Sequence, residues 1–129
     1  MDSRMDSRMG RRDVGRIAEQ VAASWLTERG WRLVTRNFNR RVGELDIVAQ
    51  QGRVLAVIEV RTRANDEYGG AAASVTARKQ RRVLRATEQL LQQRRDLCGL
   101  LVRFDVMVVH EPHASQPRVE WIQHAFEAR

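Results

Sequence analysis

The stretch Gly43-Glu44-Leu45-Asp46-Ile47-Val48, followed past Gln51-Gly52-Arg53 by Val57-Ile58-Glu59-Val60-Arg61-Thr62-Arg63, decides how this chain is read. Apolar residues alternate with others over strand-like lengths on both sides of a glycine-containing turn, which predicts a β-hairpin. A turn at Gln51-Gly52 sets Glu44 opposite Glu59. A turn at Gly52-Arg53, of the primed type with glycine first, sets Asp46 opposite Glu59. Either register puts Glu44, Asp46, Glu59 and Arg61 on one face, because side chains alternate along a strand. A one-residue bulge would separate the two sets.

Carboxylates in the middle of apolar strands are costly to bury unless a cation lies between them. Arg61, two residues from Glu59 on the same face, is one such cation and gives a structural ion-pair network. A divalent metal is the other, and Mg²⁺ suits one or two carboxylates completed by waters and phosphate oxygens. Metals held this way promote phosphodiester cleavage.

The 129 residues suffice for one domain with a hydrophobic core, and 43% hydrophobic with 30% charged residues is a globular composition. The expected organisation is a disordered tail over residues 1–10 and a single domain over 11–129. The tail carries a short duplication, Met1-Asp2-Ser3-Arg4 and Met5-Asp6-Ser7-Arg8, with nothing to pack. A net charge of +7 points to an anionic partner such as nucleic acid. Lys79 is the single lysine among 23 basic residues, and lysine, unlike arginine, has a movable proton. The lone Cys98 rules out a disulfide framework, and His110, His113 and His124 lack zinc-type spacing. No stretch reaches membrane-spanning length and no apolar signal core is present, so a cytoplasmic protein without a membrane partner is expected.

Along the chain, Val14–Arg29 reads as a helix with the stripe Val14, Ile17, Ala18, Val21, Ala22, Trp25, stopped by Gly30. Glu19 lies at the shoulder of that stripe, where solvated surface is the default. Trp31–Phe38 reads as a strand, Asn37–Arg41 as a basic turn, and Val42–Arg63 as the hairpin. Ala64–Ser74 reads as a loop, and Thr76 as the N-cap of a helix reaching Arg94 or Arg95. Leu100–Val109 and Val119–Ala125 complete the order αβββαββ, with the last strand at an edge. The fold class is α/β, a mixed sheet flanked by helices, with a parallel crossover from Val54 to Val109. Arg78, Lys79, Arg81 and Arg82 crowd the first turns of the second helix, where positive charge is unfavourable unless carboxylates or phosphates lie close.

The combined pattern Gly15-x-x-Ala18-Glu19-x-x-Ala22, Arg36-Asn37, Gly43-Glu44-x-Asp46-Ile47-Val48 and Ile58-Glu59-Val60-Arg61-x-Arg63 resembles the YraN-like family. The resemblance runs from about Gly10 to Phe126. It implies a restriction-endonuclease-like fold of the PD-(D/E)xK superfamily, near Holliday-junction resolvases, with Mg²⁺ or Mn²⁺ as cofactor and DNA as substrate. Asp46 would match the superfamily's metal-binding Asp, Glu59 the acidic residue of its E-x-K element, and Glu19 the helix carboxylate that approaches the site in resolvase-like members. Arg61 stands where the superfamily usually has lysine. Arginine steadies charge but is a poor proton acceptor. A lysine supplied from the following helix is a known variation, and Lys79 is the lysine available.

The expected site is therefore Asp46, Glu59, Arg61, Glu19 and Lys79, with Asp46, Glu59 and Val60 at the metal. Arg36, Arg40, Arg41, Arg63, Arg78 and Arg82 would contact nucleic acid. The leading expectation is a metal-dependent endodeoxyribonuclease acting on branched DNA. It would be a homodimer if two strands are cut symmetrically. The alternative is a non-catalytic DNA-binding or adaptor protein on the same fold. An RNA-binding module is disfavoured, because Trp25, Trp31, Trp121 and Tyr68 are too scattered in sequence to suggest a stacking platform.

Overall fold

A computed structural model of the chain describes residues 10–63 and 75–127. The duplicated tail, Tyr68 and the loop expected over Ala64–Ser74 lie outside the described residues. The elements are α1 (Arg11–Glu28), β1 (Arg32–Arg40), β2 (Gly43–Gln51), β3 (Val54–Arg63), α2 (Ala77–Gln93), a 3₁₀ turn at Arg95–Leu97, β4 (Leu101–His110) and β5 (Arg118–Phe126). The strands form one sheet in the order β1-β2-β3-β4-β5, antiparallel throughout except for the parallel β3–β4 pair joined through α2. This is the expected αβββαββ arrangement.

Each helix covers one face. Ala18, Ala22 and Leu26 of α1 pack on Ile47, Ala49, Ile58 and Met107. Val83, Ala86 and Leu90 of α2 pack on Val48, Leu55, Val57 and Phe104. The central strands are thus buried on both sides, which is why β3 and β4 read as nearly continuous apolar runs. α1 starts three residues earlier than Val14, with Asp13 in its first turn. It ends in a glycine cap: Gly30 has φ +86°, and Trp31 N–H donates to the Leu26 carbonyl at 3.0 Å. Thr76 caps α2 as expected, its hydroxyl accepting from Lys79 N–H at 3.1 Å.

Two local readings are corrected. Asn37–Arg41 is not a turn: β1 continues to Arg40, and only Arg41 and Val42 turn the chain. Asn37 nonetheless departs from strand geometry, with φ +53°, a conformation that Asn tolerates better than most residues. The hairpin turn is Gly52-Arg53, with Gly52 at φ +59° and Gln51 paired with Val54. That register continues only to Ile47 opposite Ile58. Leu45 joins the α2-side core while Ile47 joins the α1-side core, so the alternation breaks at Asp46. With Leu45 in the α2-side core, Glu44 points away from the face of Glu59 and is exposed, yet its charge still acts on Asp46 and Glu19.

The tryptophans, though scattered in sequence, are brought together by the fold. Trp25 and Trp31 meet Trp121 edge-on, with ring centroids 5.7 and 5.1 Å apart. The Arg29 guanidinium covers Trp25 at 3.7 Å, and Arg103 lies over Trp31 and Trp121. This is a satellite of the α1-side core.

Candidate functional site

The break in β2 directs Asp46 across to β3. Its Oδ2 accepts from the Val60 backbone N–H at 2.9 Å. Neighbouring Glu59 is 1% exposed, and among the described residues its carboxylate oxygens have no hydrogen bond shorter than the contact with Lys79. Lys79 is a counter-charge, its Nζ 3.5 Å from Oε1, an ion pair longer than a good hydrogen bond. The first turn of α2, locked by Thr76, carries Lys79 over the sheet at this point.

Electrostatics mark the same group. Burial, then the charge of Asp46, pushes the Glu59 carboxyl up to about 7, against the pull of Lys79 and Arg61. Burial raises Asp46 above its ordinary range too, opposed by the Val60 N–H and by Lys79 and Arg61. Glu19 belongs here from the other side. Burial and Asp46 raise its carboxyl, while a hydrogen bond from Asn37 and the charge of Arg36 lower it. The solvated-surface reading of Glu19 is therefore corrected: α1 holds it against Asn37, in reach of Asp46. Arg61 stands two residues past Glu59 on the same strand, and its charge acts on both buried carboxylates.

The expected phosphate-contacting arginines divide into groups. Arg78 is exposed and Arg82 half-buried on α2, and the exposed Arg81 and Arg85 extend them into a stripe at helical spacing. Arg36 hydrogen-bonds Gln20 at 3.2 Å and keeps a buried Nε without a hydrogen-bond partner. Arg63 pairs in register with His110 at the end of β3. Arg41 is exposed in the β1–β2 turn. Arg40 is not gathered to the carboxylates: it lies over Phe38 at 4.0 Å and reaches Gln93 at 3.2 Å. Gln93 is at the far end of α2, roughly 20 Å along the axis from Lys79.

Two contributors escaped the sequence reading. Asn37 bonds Glu19 from a left-handed backbone, and Asn, which tolerates that conformation, inside a strand pattern was the available signal. Gly43 lies buried beneath α2 against the backbone of Arg82. A glycine inside a strand pattern is a known sign of such close approach.

Among the described residues no three His, Cys, Asp or Glu side chains form a complete metal cage. Asp46 and Glu59 do fit a cation that retains waters and takes further oxygens from a phosphate. Two adjacent carboxylates, Glu59 buried and bonded among the described residues by no more than the long Lys79 contact, are an oxygen donor set with lone pairs to spare. Val60 offers its N–H to Asp46 and so ties the two strands at this point.

The fold is a restriction-endonuclease-like α/β sheet with a helix on each face, and Asp46, Glu59 and Lys79 gather on it. The sequence profile described as Uncharacterised protein family UPF0102 matches residues 18–109, and the chain belongs to that family. It is similar to a UPF0102 protein of Methylococcus capsulatus, 44% identical over 89% of this chain and 91% of the relative. It is also similar to UPF0102 proteins of Pseudomonas paraeruginosa (39% identical, 96% of this chain and 100% of the relative) and Legionella pneumophila strain Corby (35%, 88% and 94%). The expected YraN-like membership is thereby borne out.

Proposed function

We propose that the chain is a metal-dependent endodeoxyribonuclease whose site is Asp46, Glu59 and Lys79, with Glu19 and Arg61 beside them. The observation that carries this reading is Glu59: a buried carboxylate inside a β-sheet, beside Asp46, whose contact with the single lysine is long. Structural ion pairs are normally completed by further hydrogen bonds, and among the described residues Glu59 has none beyond that contact.

When bound, Mg²⁺ or Mn²⁺ supplies Lewis-acid stabilisation of charge at phosphorus and lowers the pKa of water. Asp46, Glu59 and Val60 would hold it. The chain's own groups do the rest. Lys79 pairs with Glu59 and, of the two cations, is the one with an exchangeable proton, whereas Arg61 is a fixed charge suited to a phosphate oxygen. The stripe Arg78, Arg81, Arg82, Arg85 and the cations Arg36, Arg41 and Arg63 are suited to the DNA backbone.

Calorimetry with Mn²⁺ tests the metal assignment: wild type binds, and Asp46→Asn and Glu59→Gln do not. Cleavage of a four-way junction, a linear duplex and a single strand, each with Mg²⁺, Mn²⁺ or chelator, tests the activity. Metal-dependent cutting that disappears in both variants is the expected result, with the junction preferred. Equal Mn²⁺ binding by wild type and Asp46→Asn would sink the site. The arginine stripe needs no chemistry to bind DNA and favours, as a second reading, a DNA-binding adaptor on this fold. DNA binding without cleavage under any metal condition would select it.

A further inference from the structure

Gly43 lies at the start of β2, directly beneath the middle of α2. A Cβ built at this position would overlap the carbonyl oxygen of Arg82, and would lie 2.7 Å from its carbonyl carbon and 3.1 Å from its Cβ. Two of these three are backbone atoms inside a helix, so no rotamer change relieves the overlap. The helix or the strand must move. Gly43 has no positive φ that would call for glycine on conformational grounds. The constraint is the space under the helix.

The consequence falls on Lys79. It sits one turn before Arg82 on the same continuous α-helix, in a first turn ordered by the Thr76 cap and by Gln80, which donates to the Val75 carbonyl at 3.0 Å. A displacement at Arg82 is therefore carried to Lys79 almost undiminished. The Lys79–Glu59 separation of 3.5 Å already stands at the long end of contact, so a further shift of roughly 1 Å, of the size that disables catalytic geometry, breaks the pair.

We infer that Gly43 is a positioning residue: the missing side chain seats α2 closely enough on β2 to hold Lys79 over Glu59. This rests on the proposed site, but its readout does not require cleavage. Because Lys79 is the chain's single lysine, ¹³C-lysine labelling yields one side-chain signal that reports the pair. Gly43→Ala is expected to move that signal most of the way to its position in Glu59→Gln. In the Glu59→Gln background, Gly43→Ala should move it no further. Gly15→Ala, where an added Cβ meets nothing within 4 Å, should leave it at the wild-type position. In a cleavage assay Gly43→Ala should lose up to about a hundredfold in turnover while keeping DNA affinity.

Three results overturn the inference. One is a folded Gly43→Ala whose lysine signal stays put. Another is an unmoved lysine with a shifted Val60 amide, meaning that β2 and Asp46 gave way instead of α2. The third is failure of Gly43→Ala to fold even with Gly15→Ala as a helix-stabilising background, which would make the contact a requirement of folding. If wild type never cleaves, the nuclease reading fails alone and the lysine signal still decides the role of Gly43.

Discussion

At the residue scale the protein is organised around a carboxylate held where a charge is expensive. The ordinary glutamate value is 4.5, and Glu59 is raised to about 7. Between those values the folded chain holds a proton that the unfolded chain has released, so stability falls as pH rises through this window and levels off above it. Urea unfolding at pH 5 and pH 8 should show wild type losing stability between the two, and Glu59→Gln losing much less. Mn²⁺ should restore wild-type stability at pH 8, by about 2.7 kcal/mol at a hundredfold excess over its Kd, and leave Glu59→Gln unmoved. Lys79→Arg preserves charge but removes the accessible proton acceptor, so cleavage should drop at least about tenfold with DNA affinity little changed. Arg61→Lys should be tolerated or activating. Normal cleavage by Lys79→Arg beside a dead Arg61→Ala would transfer the active role to Arg61.

At the scale of elements, the ends of α2 and β5 carry the testable energetics. Thr76→Ala removes the α2 cap and should cost about 1 kcal/mol in chemical denaturation, with a larger effect on cleavage because the cap also fixes Lys79. The opposite edge is held by Asp105, 0% exposed, which accepts from Arg103, from the Trp121 indole at 2.8 Å and from the His124 backbone N–H at 2.9 Å. Asp105→Ala orphans all three donors at once and should cost about 3–5 kcal/mol, read as a lowered urea midpoint. These elements also mark what the chain makes legible. The Thr76 cap and the Gly30 stop follow from local backbone rules and read correctly from neighbouring residues, while the hairpin turn was narrowed to two registers between which only the structure chooses. The kink at Asn37 and the seat at Gly43 depend on what lies across the sheet or beneath the helix. Spacing within one strand cannot report those contacts, and for that reason Glu44 was expected on the wrong face. Glu19 shows the same limit, since a shoulder position on a helix wheel does not reveal a carboxylate on the facing strand.

At the scale of the whole molecule, the order of elements was readable because each strand and helix has a period long enough to see. The parallel β3–β4 pairing followed from the intervening helix. The charge is also a whole-molecule property. A +7 chain with an arginine stripe along α2 should bind DNA with an affinity falling steeply with salt, and Arg81→Ala with Arg85→Ala should flatten that slope by about two ion equivalents. Fluorescence anisotropy across a salt series measures it, and an unchanged slope would remove α2 from the binding surface.

Among the described residues the sheet ends on β1 and β5, and both are irregular. β1 shifts register between Leu33 and Thr35, and β5 shifts opposite Asp105, where His124 takes φ +57°. Each edge also displays charge, Arg32 and Arg40 on one, Arg118 and Glu120 on the other. Bulged, charged edges make poor templates for another strand. The Asp105 anchor is then a guard against self-association as well as a source of stability. Releasing it lets β5 straighten and frees a ladder of backbone donors, so concentrated Asp105→Ala should form thioflavin-positive aggregates below its unfolding temperature, under conditions where the parent chain stays dispersed.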